Sequence, residues 1–92
     1  MLEIKFTASM KRSMKRMQKQ GKDFSKLHVV LELLAASKSL PTKYRDHALT
    51  GNKRLYRECH IEPDWLLVYQ VRQTELILLC VDTGSHAELF GM

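Results

Sequence analysis

WLLVYQVRQTELILLCV, residues 65–81, frames the reading of this chain. It holds two apolar runs, Trp65 to Val71 and Glu75 to Val81, separated by the polar break Arg72-Gln73-Thr74. Short runs this rich in Leu, Val and Ile read as strands, and a break of three polar residues reads as the turn of a hairpin. Their near-continuous apolar character is that of central strands packed under helices. One step back, Arg54 to Ile61 reads as a further strand, joined to Trp65 through the turn Glu62-Pro63-Asp64. Leu2, Ile4 and Phe6 alternate with polar residues, the pattern of a short first strand.

Two helices are expected between the first strand and the rest. Met10, Met14 and Met17 recur at the spacing of one helix face, with Lys11, Arg12, Lys15, Arg16 and Lys19 on the other side. Thr7 or Ser9 can cap this helix, and Gly21 ends it. Asp23 reads as the N-cap of a second helix with the apolar stripe Phe24, Leu27, Val30, Leu31 and Leu34, stopped by Leu40-Pro41. Residues 39 to 53 are irregular and end in a tight turn at Thr50-Gly51-Asn52. The expected order is β-α-α-β-β-β. This is an α/β chain of the α+β kind, an antiparallel sheet with a helical hairpin packed on one face.

The 92 residues are expected to form one domain, 1–92, with a modest core. With 45% hydrophobic and 27% charged residues the balance is that of a globular protein, not of a disordered one. Fifteen Lys and Arg against ten Asp and Glu leave a net charge of +5, which calls for a polyanionic partner. No apolar run reaches the length of a membrane span and no signal peptide opens the chain, so a soluble cytoplasmic protein is expected. Cys59 and Cys80 lie in apolar stretches and read as small buried hydrophobes.

Three of the four histidines, His47, His60 and His86, fall in loops or at strand ends, and His60 precedes Asp64 across a turn. Reactive groups are commonly carried there by a rigid sheet. Imidazole titrates at about 6.5 and can both take and give a proton near neutral pH. Cleavage of RNA by its own 2′-hydroxyl needs a base, an acid for the leaving 5′-oxygen and a cation for the phosphorane. Trp65, Tyr56 and Phe90 are candidates for stacking on unpaired bases. Each residue also has a structural reading. His47 can be a surface histidine, His60 an outward strand residue and His86 a turn cap, while Trp65 and Phe90 can be core aromatics. His28 reads as structural. No metal site is expected: Cys59 and His60 are adjacent on a strand and point to opposite faces, and no Cys-x-x-Cys or His-x-x-x-His pair exists. The basic face of the first helix reads either as a solvated surface or as a grip on RNA phosphates.

The stretch Asp46-His47-Ala48-Leu49-Thr50-Gly51, followed by Tyr56-Arg57-Glu58-Cys59-His60-Ile61-Glu62-Pro63-Asp64-Trp65-Leu66-Leu67-Val68-Tyr69, resembles the YafQ branch of the RelE toxin superfamily. The ending Thr83-Gly84-Ser85-His86-Ala87-Glu88-Leu89-Phe90 resembles the same family's C-terminal signature. The resemblance implies a RelE-like fold and a toxin of a type II toxin–antitoxin system, with an acidic antitoxin of the DinJ or RelB type as partner in a hetero-oligomer. It implies an endoribonuclease that cuts mRNA in the ribosomal A site without metal or other cofactor, and so inhibits translation. The alternative on the same fold is a binding protein without nuclease activity, a gyrase poison or an antitoxin-sequestering homologue. By this likeness His47, His60, Asp64 and His86 are catalytic, with His86 as general acid, and Trp65 and Phe90 position the RNA. Members of the family commonly carry an arginine just before the Thr-Gly-Ser-His loop, where this chain has Asp82. A carboxylate cannot do an arginine's work beside a phosphate. Arg57, Lys53 or Arg45 is then expected to supply the cation, Arg57 first, or the activity is weakened.

Overall fold

The computed structural model describes residues 1–51 and 55–91. Strand β1 (Glu3–Phe6) leads into helix α1 (Ala8–Lys19), then helix α2 (Phe24–Ala35). A single 3-10 turn, Thr42–Tyr44, precedes the short strand β2 (His47–Ala48). Strands β3 (Arg57–Glu62), β4 (Trp65–Arg72) and β5 (Ile77–Gly84) follow, and helix α3 (His86–Phe90) comes last.

The five strands lie in the order β1-β5-β4-β3-β2. The antiparallel expectation holds from β2 through β5, whereas β1 pairs parallel with β5, Glu3 opposite Ile77 and Phe6 opposite Cys80. The sheet is therefore mixed. Tight turns oblige β3, β4 and β5 to alternate in direction. No hairpin links β1 to β5, so nothing local fixes their relative sense, and the helical hairpin carries the chain across the sheet instead.

Local chemistry explains the helices. Thr7 is the cap of α1: its hydroxyl accepts from the Met10 N–H at 3.0 Å and donates to the Val81 carbonyl at 2.6 Å. That pair of bonds fixes the start of α1 to β5. Asp23 caps α2 by accepting from the Ser25 N–H at 3.0 Å. The second helix ends at Ala35, earlier than the expected stop at Leu40-Pro41. Ser37 takes a left-handed conformation (φ 58°) there and turns the chain out of the helix. The expected strand at Arg54 begins at Arg57 among the described residues, and Asn52, Lys53 and Arg54 lie outside them. The fifth strand begins at Ile77, after a turn in which Leu76 has φ 57°.

The core sits between the helical hairpin and one face of the sheet. Met10, Met17, Leu27, Val30, Leu31 and Leu34 meet Cys59, Ile61, Trp65, Leu67, Tyr69, Leu78 and Cys80. Each large apolar side chain so buried contributes about 1.5–3 kcal/mol. Both cysteines are free and buried, and burial pushes each thiol up to about 12, so both stay protonated and inert.

Candidate active site

Strand alternation separates the core from the site. On β3, Cys59 and Ile61 enter the core, so Glu58 and His60 face the opposite side of the sheet. His47 on β2 pairs directly across from Glu58. The Glu62–Trp65 turn brings Asp64 alongside, and the end of β5 delivers His86 at the first position of α3. Four residues far apart in the chain, His47, His60, Asp64 and His86, thus lie on one side of the sheet with Glu58 among them.

Glu58 Oε1 is 3.6 Å from His47 Nε2 and 3.7 Å from His60 Nε2. The His60 and His86 rings are 5.7 Å apart, centroid to centroid. Each imidazole is held through Nδ1. That of His47 faces the Arg45 carbonyl at 2.7 Å, that of His60 the Pro63 carbonyl at 3.2 Å, and that of His86 the Asp64 carboxylate at 2.8 Å. Carbonyls and carboxylates only accept, so the proton sits on Nδ1 in all three rings. Nε2 is left for chemistry. The His86 N–H also donates to Asp64, at 3.1 Å. These two bonds, backbone first and then imidazole, hold the Asp64 carboxyl below the usual carboxylate range.

Helix α3 is set by a capping box. Ser85 accepts from the Glu88 N–H at 3.1 Å, and Glu88 accepts from the Ser85 N–H at 2.9 Å. Arg16 of α1 reaches Glu88 at 2.9 Å and donates to the Thr83 carbonyl at 3.4 Å. A Cβ on Gly84 (φ 154°) would lie 3.0 Å from Glu88 Oε1 and 3.1 Å from Arg16 Nη2, so the loop needs glycine where this brace crosses it. Phe90 lies one turn beyond His86, on the same side of α3.

Two expected RNA contacts, Trp65 and Arg57, lie elsewhere. Trp65 is fully buried on the helix face. Its Nε1 donates to Thr83 Oγ1 at 2.9 Å and its ring packs against Phe24, so it is a core aromatic and cannot stack on a base. Arg57 also points to the helix face, where Nε and Nη2 each reach Asp46 at 3.3 Å. It cannot supply the phosphate cation, because β3 alternation turns it away from Glu58 and His60. Lys53 lies outside the described residues. Arg45 is exposed and left-handed (φ 49°), beside the site, with its carbonyl on His47. Asp82 does not face the histidines. It accepts from Ser9 at 3.0 Å, Ser13 at 2.5 Å and the Thr83 N–H at 2.8 Å, binding α1 to β5.

Glu58 escaped the sequence reading, although its i, i+2 spacing to His60 on a strand carried the signal. Glu58, His60 and His86 each offer a ligand atom, all within 4.8 Å of one another. One carboxylate oxygen and two imidazole nitrogens suit a divalent transition metal such as zinc or copper.

The profile of a bacterial toxin of type II toxin–antitoxin systems, YafQ, matches residues 2–91. The chain belongs to the YafQ toxin family. It is 39% identical over 90 residues to the mRNA interferase toxin YafQ of Escherichia coli strain K12, covering 97% of this chain and 96% of that one. Its fold superposes on a metal-bound toxin from Helicobacter pylori with a TM-score of 0.93 at 42% identity, covering 98% of this chain and 100% of that one. The YafQ chain of the Escherichia coli DinJ–YafQ complex gives 0.88 at 36% identity, with 99% and 100% covered. Each of these likenesses extends over nearly the whole chain.

Proposed function

We propose that this chain, acting as one domain, is an endoribonuclease that cuts mRNA in the ribosomal A site and is restrained by an acidic antitoxin of the DinJ type. The observation that carries the reading is the convergence of three imidazoles, each held at Nδ1, around the buried Glu58 carboxylate. In the reaction, His60 Nε2 takes the proton of the 2′-hydroxyl. The oxygen attacks the adjacent phosphorus, the bond from phosphorus to the 5′-oxygen breaks, and protonated His86 gives its Nε2 proton to that leaving oxygen. The products are a 2′,3′-cyclic phosphate and a 5′-hydroxyl. Glu58, beside both Nε2 atoms, stabilises positive charge on His60 as it accepts the proton, and on His47 as it faces the phosphate oxygens. Asp64 orients His86 and stabilises its cation, and Phe90 positions the flanking base.

A divalent ion bound by Glu58, His60 and His86 would polarise a phosphoryl oxygen as a Lewis acid. The acid–base route uses the same side chains without it. Cleavage is therefore expected to persist in excess chelator, and loss of cleavage that added metal restores would contradict this route.

The test of function is primer extension on mRNA from cells expressing the protein alone. Cuts in register with the reading frame, absent for His86→Ala, are expected. Growth arrest with intact mRNA would reject the reading.

A further inference from the structure

Beside the histidines lies a cleft of about 550 Å³, lined by Lys26, Val29, Lys43, Tyr44, Arg45 and His60. Among the described residues, the strand pairing of β2 stops at Glu58. Beyond Glu58 the outer edge of β3 faces α2 and the 3-10 turn instead of another strand. The volume is that of a small-molecule site. Its walls are basic: Lys26, Lys43 and Arg45 stand against one carboxylate, Glu62, which Lys26 (2.6 Å) and Lys22 (3.3 Å) already neutralise. Tyr44 is half-buried with its back on the core, so its ring is a fixed wall, and Lys43 Nζ lies 5.1 Å from its centroid. Val29 is 47% exposed, a large apolar surface left uncovered.

Two links join the cleft to the catalytic cluster. His60 lines both. Arg45, which lines the cleft, turns through a left-handed conformation and places its carbonyl on His47 Nδ1. Residues rarely hold such a backbone unless their surroundings enforce it.

We infer that this cleft is a subsite for the RNA strand, receiving the nucleotide next to the scissile phosphate. Lys43 and Arg45 meet its phosphate, and its base lies against Tyr44 and Val29. The inference rests on the nuclease reading and extends it from the reacting phosphate to the flanking strand. Basic side chains beside a fixed aromatic wall are what single-stranded RNA binding uses, and the shared His60 makes the path continuous. A protein segment from an acidic partner is the other occupant, and the titration below separates the two.

The test is an NMR titration of the isotopically labelled protein with RNA carrying a 2′-O-methyl group at the scissile nucleotide. A dinucleotide spanning the scissile bond is compared with the same RNA extended by two nucleotides on either side. One extension is expected to tighten binding about tenfold and to shift the amides of Val29 and Lys43 through Arg45. In a Lys43→Ala, Arg45→Gly double variant that gain should fall to about twofold or less. Glycine suits the left-handed backbone at position 45 and keeps the carbonyl that holds His47. Equal gain in the variant, or a gain with no shifts at these amides, overturns the subsite alone. Wild-type protein that binds none of the RNAs and leaves cellular mRNA uncut overturns the nuclease reading with it. A variant that keeps the RNA gain but loses affinity for an acidic antitoxin peptide assigns the cleft to the protein partner and likewise overturns the proposal.

Discussion

His86 is held by Asp64 through two bonds of different kinds, one from its backbone N–H and one from its ring. The backbone bond is the larger cause of the depressed Asp64 carboxyl. A carboxyl carbon titration is therefore expected to place Asp64 below the usual carboxylate range. In His86→Ala it should rise only part of the way back, because the backbone donor survives; a full return would show that the ring bond alone matters. Ionised Asp64 favours the folded chain above the unfolded carboxyl range, and that contribution is lost as pH falls through the lowered folded value. For cleavage itself, His86→Ala should cost about 10²- to 10⁴-fold in single-turnover rate on programmed ribosomes. The same reaction should give a bell-shaped pH profile in the wild type, since one imidazole must be neutral and another charged. Of the site, the histidines and Asp64 were legible because loop and strand-end positions limit where they can go. Glu58 was not, because attention to loops passes over a strand residue. Trp65 and Arg57 were misplaced for the converse reason: their types suit RNA, but β-strand alternation puts them with Leu67 and Cys59 on the helix face.

At the scale of elements, Asp82 is the centre of a brace between α1 and β5. Asp82 receives two serine hydroxyls from α1, and Ser13 is buried. Asp82→Ala leaves those hydroxyls without their acceptor and should destabilise the fold by about 1–3 kcal/mol. Each kcal/mol is a fall of roughly 4–8 °C in melting temperature for a domain of this size. An unchanged melt would mean that water takes the place of the carboxylate. Gly84→Ala acts on the other half of the brace. It should displace Glu88 and Arg16, shift α3 and reduce cleavage more than it reduces helix content by circular dichroism. The two long helices were readable from methionine and leucine spacing and from the Asp23 cap. The end of α2 was not, since a Ser-Lys-Ser run can continue a helix or leave it. The direction of β1 was not either, because parallel pairing with β5 is a tertiary choice with no local signature. The third helix had a readable mark in Ser85 and Glu88, whose spacing is that of a capping box.

For the whole molecule, charge and surface divide the labour. The basic side chains Lys11, Arg12, Lys15 and Lys19 are exposed on α1, while its methionines face the core. No helix among the described residues is long and apolar enough to cross a membrane. A net +5 chain that engages a large RNA should bind it with a steep salt dependence. Charge removal at Lys11, Lys15 and Lys19 should flatten that slope and weaken ribosome association in sedimentation assays. An unaltered slope would leave this face as a solvated surface. The central claim is that the histidine cluster cuts RNA by acid–base chemistry. Its most direct test is end-group analysis of mRNA cut on programmed ribosomes by the purified protein in excess chelator. A 2′,3′-cyclic phosphate and a 5′-hydroxyl, both lost with His86→Ala, are the predicted result. A 5′-phosphate end, or undiminished cleavage by His86→Ala, would contradict it.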